Sequence, residues 1–208
     1  IRSEDVKGVI DTFKPDWIVN FAAETHVDNS ICAPEQFINT NILGTYNLLF
    51  HARNYFERCN TSKKNTFRFL HVSTDEIYGS LRKNQDASTE VSTLKPSSPY
   101  SASKASADCL VIAWNVTYGL PGIITNCSNN YGPFQFKEKL IPKTILNAIN
   151  GNQIPVYGNG SQQRDWIFVD DHVEGILAVL KNGLVGERYN IGAEDEKPNL
   201  EVIASILE

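Results

Sequence analysis

The stretch Phe67–Ser73, FRFLHVS, runs directly into Thr74-Asp-Glu-Ile-Tyr-Gly79, and its reading decides the fold. A short run of aromatic, leucine and valine residues that ends in polar residues and a glycine is the pattern of a strand buried on both faces of a parallel sheet. Two similar runs flank it, Trp17–Ala23 (WIVNFAA) and Gly122–Cys127 (GIITNC). Between them lie helical stretches, Pro34–Arg58 and Pro99–Tyr118, whose Ala, Leu and Val content suits packing on a sheet. A helix near Asp171–Lys181 and a strand at Arg188–Ile191 follow. Strand and helix in alternation predict an α/β domain, a doubly wound parallel sheet with right-handed crossovers.

The chain has 208 residues, 41% of them hydrophobic and 21% charged, a length and balance that support a sizeable buried core and exclude a disordered or collagen-like chain. Nineteen Lys and Arg against 24 Asp and Glu leave a net charge of −5 with no basic run, which argues against a nucleic-acid partner. No stretch reaches the roughly 20 apolar residues that span a bilayer, and the opening IRSEDVKGVID has no signal-peptide hydrophobic region, so no membrane association and a cytoplasmic location are expected. Cys32, Cys59, Cys109 and Cys127 are widely spaced with no CxxC pair, the pattern of reduced thiols rather than of a disulfide framework or zinc site.

The two ends depart from this pattern. Ser3–Phe13 reads as a helix that feeds the first visible strand through Pro15-Asp16, and Ile203–Glu208 stops in what reads as another helix. A doubly wound dinucleotide-binding domain usually opens with a strand and a Gly-rich turn. None of the 13 glycines forms G-x-G-x-x-G.

Tyr100-Ser-Ala-Ser-Lys104 opens the second long helix, and its i, i+4 spacing sets phenol and ammonium on one face. A neighbouring cation favours the phenolate, which makes the tyrosine a usable base near neutrality. Thr74-Asp75-Glu76 emerges at the carboxyl end of a strand, where parallel sheets bind ligands, and two carboxyls held at different protonation states can serve as acid and base. The competing reading of that segment is a solvated loop with Asp75 capping a turn.

Together, Thr74-Asp75-Glu76 and Tyr100-xxx-Lys104 resemble the extended short-chain dehydrogenase/reductase family, and within it the dTDP-glucose 4,6-dehydratases. The likeness continues through Asn20-Phe-Ala-Ala-Glu-Thr-His-Val-Asp-Asn-Ser30, Ser128-Asn-Asn-Tyr-Gly-Pro133, Glu138-Lys-Leu-Ile-Pro142 and Arg164-Asp-Trp-Ile-Phe-Val-Asp170, in order along nearly the whole chain. It implies a Rossmann-like sheet lacking its N-terminal strands, with residues 1–132 as a partial dinucleotide-binding domain. Residues 133–208 would form part of a smaller C-terminal substrate-binding region, within which 167–192 return to the main sheet.

The resemblance also implies NAD as cofactor, a nucleotide-sugar substrate, a homodimer, and no metal. Glucose would be oxidised at C4, lose water across C5 and C6, and regain the hydride at C6. Tyr100 would be the base at the C4 hydroxyl, Lys104 would lower its pKa and hold the nicotinamide ribose, and Thr74 would bond near the reacting hydroxyl. Glu76 would take the C5 proton and Asp75 would protonate the departing C6 hydroxyl.

Matching by position puts cofactor contacts on Phe21, Ala22, Ala23, Glu24, Thr25, Thr40, Tyr100, Lys104 and Asn130. Substrate contacts fall on Thr25, Thr74, Asn129, Lys139, Leu140, Pro155, Val156, Tyr157, Arg164 and Asn199. Arg164, read as lying on a loop, offers a fork for a diphosphate, and His26 reads as structural. Family members begin with the Gly-rich turn, so this chain is expected to start after it and to stop before the last substrate contacts, which counts against tight NAD⁺ binding and turnover by the chain alone. Exposed strand edges would favour association. The alternatives are a UDP-glucose 4,6-dehydratase, another nucleotide-sugar epimerase or dehydratase, or a non-catalytic dimerising fragment. An epimerase, which eliminates no water, does not need Asp75 and Glu76.

Overall fold

The computed structural model describes residues 3–81, 85–156 and 158–208. Helix α1 (Ser3–Phe13) leads into strand β1 (Trp17–Asn20), followed by α2 (Val27–Cys32) and α3 (Pro34–Phe37). A π-helical segment, Ile38–Leu43, joins α3 to α4 (Gly44–Arg58), so the expected single helix over Pro34–Arg58 is one rod with a widened turn inside it. The short α5 (Thr61–Thr66) precedes β2 (Arg68–Thr74), a 3₁₀ turn (Asp75–Tyr78), α6 (Pro99–Tyr118) and β3 (Gly122–Cys127). Then come β4 (Asn129–Tyr131), α7 (Leu140–Ile149), β5 (Gln163–Phe168), α8 (Val169–Asn182), β6 (Arg188–Ile191), β7 (Glu196–Pro198) and α9 (Asn199–Leu207).

The chain divides into two compact units, residues 1–126 with 178–190, and residues 127–177 with 191–208. The first is built on a parallel four-stranded sheet in the order β1-β2-β3-β6, with Trp17 to Asn20 in register with Arg68 to His71. Val6 and Ile10 lie one turn apart on α1, the spacing that gives an amphipathic helix its buried stripe, and join Leu49, Ala52 and Tyr55 of α4 in one apolar cluster. Phe67, Phe69, Val111 and Ile124 complete that core, and Phe69 is fully buried.

Strand β1 is shorter than the sequence pattern suggests. The run WIVNFAA ends as a strand at Asn20, because the Asn20 side chain turns back to accept the Ala22 N–H at 3.2 Å and sends the chain into a loop. The other two apolar runs form strands close to their expected bounds.

In the second unit β4, β5 and β7 make a three-stranded sheet, β4 parallel and β7 antiparallel to β5. No helix among the described residues is long and apolar enough to cross a membrane. Cys32 and Cys109 are exposed thiols, and Cys59 and Cys127 are half-buried ones.

Candidate active site

Strand β2 delivers the acidic pair. Thr74 is still extended, and its Oγ1 accepts the Glu76 N–H at 3.3 Å, which caps the 3₁₀ turn that follows. The same hydroxyl donates to Asp75 Oδ1 at 3.3 Å. Asp75 and Glu76 therefore stand on an ordered turn, with Thr74 rather than Asp75 as its cap. Ile77 anchors the turn from below, fully buried, and the Lys95 N–H donates to the Ile77 carbonyl at 2.9 Å. Gly79 closes the turn at φ +81°, where a Cβ would strike the Lys95 carbonyl oxygen, so only glycine fits. On the far side the Tyr78 hydroxyl donates to Asn190 Oδ1 at 2.8 Å.

Helix α6 delivers the second pair. Its start is fixed by a capping box between Ser98 and Ser101 with Pro99 in the first turn, and its end by Gly119 in the left-handed region. Tyr100, Lys104 and Asp108 follow at four-residue spacing and are all buried. The Tyr100 ring meets Phe37 edge to face, with centroids 6.3 Å apart. Asn41, inside the π segment, accepts the Glu24 N–H at 2.8 Å, donates to the Glu24 carbonyl at 3.1 Å and donates to Ser103 Oγ at 2.8 Å. One amide thus ties the loop after β1 to the helix that carries Tyr100. A π-helical turn widens the rod and turns Asn41 inward, a deviation often found at functional sites.

Beneath both pairs lies a polar layer. Lys104, 3% exposed, donates from Nζ to the Val72 carbonyl at 2.8 Å and lies 3.3 Å from His71 Nε2. Asn20 Oδ1 is committed to Ala22, so its amide nitrogen is what faces Thr45 Oγ1 at 3.2 Å and His71 Nδ1 at 3.1 Å. The His71 ring therefore lies between two donors, Asn20 Nδ2 at Nδ1 and Lys104 Nζ at Nε2, with Asp108 Oδ1 3.6 Å from Nε2. Burial, with the Lys104 and Arg188 cations adding to it, holds the His71 pKa well below the usual imidazole value, so the ring is neutral. Arg188 Nη1 donates to Asp108 Oδ2 at 2.6 Å and to Asn126 Oδ1 at 2.7 Å, and Asn126 donates to the Thr74 carbonyl at 3.0 Å. Burial holds the Asp108 carboxyl above the usual carboxylate range, with Arg188, Ser73 and Lys104 only partly opposing it.

The first unit therefore brings together Thr74, Asp75, Glu76, Tyr100 and Lys104 at the carboxyl end of β2 and the start of α6, and carries Phe21–Thr25 on the loop after β1 and Thr40 in the π segment. His26 caps α2 by accepting the Asn29 N–H at 3.3 Å, a structural role. The second unit carries the remaining residues. Asn129 and Asn130 are in β4, Lys139 and Leu140 at the start of α7, Asn199 at the start of α9, and Pro155 and Val156 in an irregular segment. Arg164 is not on a loop: it lies in β5, exposed and opposite Lys197 of β7. Tyr157 lies outside the described residues. The His172 ring, buried and held below its usual pKa by that burial, lies 2.7 Å by Nδ1 from Asn130 Oδ1, and Asn130 Nδ2 donates to the Ser128 carbonyl at 3.0 Å.

Comparison with known proteins fits this geometry. The family model described as GDP-mannose 4,6 dehydratase matches residues 2–208. The chain belongs to that family. It is 55% identical over 194 residues to a dTDP-glucose 4,6-dehydratase of Neisseria meningitidis, covering 93% of this chain and 55% of that protein. A crystal structure of the Streptomyces venezuelae dTDP-glucose 4,6-dehydratase with NAD bound superimposes with a TM-score of 0.90 at 42% identity, over 99% of this chain and 60% of that one. The Bacillus cereus UDP-glucuronic acid 4-epimerase, in complex with UDP-glucuronic acid and NAD, reaches 0.85 at 25% identity, over 97% and 61%. The chain thus spans little more than half the length of these relatives.

The donor set suits the nicotinamide ribose of a dinucleotide, because an ammonium and a phenol one helical turn apart match a vicinal diol. The neutral His71 also sets a pH dependence. Its folded pKa lies below its unfolded value near 6.5, so below that pH the unfolded chain binds a proton that the folded chain refuses, and stability falls as pH falls. His172 acts in the same direction. Between pH 7.5 and 5.5 the Tm is expected to fall, reflecting an unfolding free energy that drops by up to ~1.4 kcal/mol per pH unit for each histidine once the pH is below about 6.5. His71→Gln should be less stable at pH 7.5 yet flatter across that range; an unchanged slope would contradict the neutral ring.

Proposed function

We propose that the protein is a nucleotide-sugar 4,6-dehydratase that converts dTDP-glucose, with NAD as a regenerated cofactor, to the 4-keto-6-deoxy sugar nucleotide. The observation that carries this reading is the capped turn that holds Asp75 and Glu76 at the end of β2 in the same unit as the buried Tyr100 and Lys104. Oxidation at C4 alone, as in epimerisation, needs only the second pair; elimination of water also needs a base for C5 and an acid for the C6 hydroxyl. The dTDP-glucose 4,6-dehydratase relatives at 53–55% identity support the same substrate.

Tyr100 takes the proton from the C4 hydroxyl, with Lys104 favouring its phenolate and holding the ribose diol, and Thr74 orients the reacting hydroxyl. Bound NAD⁺ supplies the hydride acceptor for C4 and, reduced, the hydride donor for C6. The C4 ketone acidifies the C5 hydrogen, which Glu76 removes as a proton while Asp75 protonates the departing C6 hydroxyl; Glu76 then returns the proton to C5 as C6 is reduced, and the proton held by Tyr100 makes good the one that Asp75 gave up. Phe21–Thr25, Thr40 and Asn130 contribute to the cofactor site. Thr25, Asn129, Lys139, Leu140, Pro155, Val156, Tyr157, Arg164 and Asn199 contribute to the sugar-nucleotide site, Arg164 and Lys139 meeting the diphosphate charge.

The same reading includes a homodimer. Tyr46 and Phe50 on α4 and Ile112, Val116 and Tyr118 on α6 are all at least 41% exposed, apolar side chains that a second copy would cover. Sedimentation should show a dimer that Val116→Glu converts to monomer; a wild-type monomer at micromolar concentration would contradict it.

Glu76→Gln tests the chemistry. With dTDP-glucose and NAD⁺ it should still oxidise C4 but lose dehydration by roughly 10²–10⁴-fold, followed by mass spectrometry of the sugar nucleotide. Dehydration at the wild-type rate would refute the role of Glu76.

A further inference from the structure

Acid–base catalysis by Asp75 and Glu76 tolerates little movement, since a shift of ~1 Å can cost about a hundredfold in rate. Yet the turn that carries them, Asp75–Tyr78, is only four residues long and of the 3₁₀ form, whose own hydrogen bonds have poor geometry. Its order has to come from outside. Thr74 caps its start, and at its end the Lys95 N–H donates to the Ile77 carbonyl while Gly79 sits against the Lys95 carbonyl oxygen.

A further tie runs through Asn190 of β6. Its Nδ2 donates to the Ser88 carbonyl at 3.2 Å and its backbone N–H donates to Glu90 Oε1 at 2.9 Å, so the segment Ser88–Lys95 is fastened to the sheet as well as to the turn. A carbonyl can only accept, which turns the other end of the amide, Oδ1, toward the Tyr78 hydroxyl and makes the phenol the donor at 2.8 Å. Burial holds the Tyr78 phenol above its ordinary pKa, against the pull of the Arg188 cation, so the donated proton stays in place. The Tyr78 ring itself is buried with Ile77 and with Ala105 of α6. All of these residues belong to one compact unit.

We propose that Tyr78 and Asn190 are positioning residues whose hydrogen bond clamps the far end of the acidic turn, so that Asp75 and Glu76 keep a fixed stance for the loss of water. Breaking the clamp loosens the turn but leaves Tyr100 and Lys104 on the capped start of α6. It should therefore slow elimination and spare oxidation at C4. That role rests on the dehydratase reading, whereas the clamp itself is tested without turnover.

Tyr78→Phe removes one hydroxyl and keeps the ring in its apolar contacts. In the full chain, amide hydrogen exchange should quicken at Gly79 and Lys95, whose N–H groups bond the Glu76 and Ile77 carbonyls, by roughly threefold to tenfold more than at Phe69 of β2. In a quenched single turnover with dTDP-glucose and NAD⁺, mass spectrometry should show the sugar nucleotide that has lost two hydrogens accumulating over the one that has lost water, their ratio rising roughly tenfold or more. Asn190→Ala should reproduce both effects, and Tyr78→Phe added to it should change little, because both break the same bond.

Exchange that rises equally at all three amides, or not at all, would overturn the clamp. An unchanged product ratio in a Tyr78→Phe protein that still turns over would overturn its role in elimination, since a merely structural loss lowers both products together. Tyr78→Phe alone decides if Asn190→Ala does not fold. Local quickening at Gly79 and Lys95 in a protein whose wild type does not dehydrate dTDP-glucose would reject the reaction and uphold the clamp.

Discussion

Placing an ammonium in a protein interior costs several kcal/mol unless fixed dipoles and an anion replace the water it gives up, and Lys104 is where this fold meets that constraint. The Val72 carbonyl at the end of β2 accepts from the Lys104 ammonium at 2.8 Å, and one turn further along α6 lies the buried Asp108. Arg188 in turn reaches from β6 to neutralise Asp108, which requires β2, β3 and β6 to stand side by side in the order observed. The Asn126 amide on β3 then bonds the Thr74 carbonyl, so the departure point of the acidic turn depends on the same layer. Sheet order, helix register and acid–base geometry are in this sense one problem with one solution.

The parts legible in the sequence are those whose signal is local. Tyr100 and Lys104 declare themselves by spacing, Thr74-Asp75-Glu76 by following a buried apolar run, and the strands at β2 and β3 by that run itself. The polar layer is not legible, because its partners are distant along the chain: Asp108 and Arg188 are 80 residues apart and His71 and Lys104 are 33 apart. Asn41 shows the same limit. Nothing in INTNIL announces a π turn, which exists because Asn41 bonds both Glu24 and Ser103.

Strands β4 and β7 are not legible for a different reason. Asn129–Tyr131 and Glu196–Pro198 are three residues each and mostly polar, so they carry no hydrophobic period and exist only by pairing with β5. Arg164 reads as a loop residue for the same reason: QRDWIF shows its apolar character only in its second half.

Dehydratases and epimerases share this fold, as the likeness to both kinds of crystal structure shows, so the fold alone does not choose the reaction. What separates them chemically is whether the hydride removed from C4 returns there or goes to C6 after water has left. The most direct measurement uses dTDP-glucose deuterated at C4, incubated with the protein and NAD⁺, and locates the deuterium in the product. The account predicts a product that has lost one water and carries the deuterium at C6. Deuterium that returns to C4 without loss of water would contradict it.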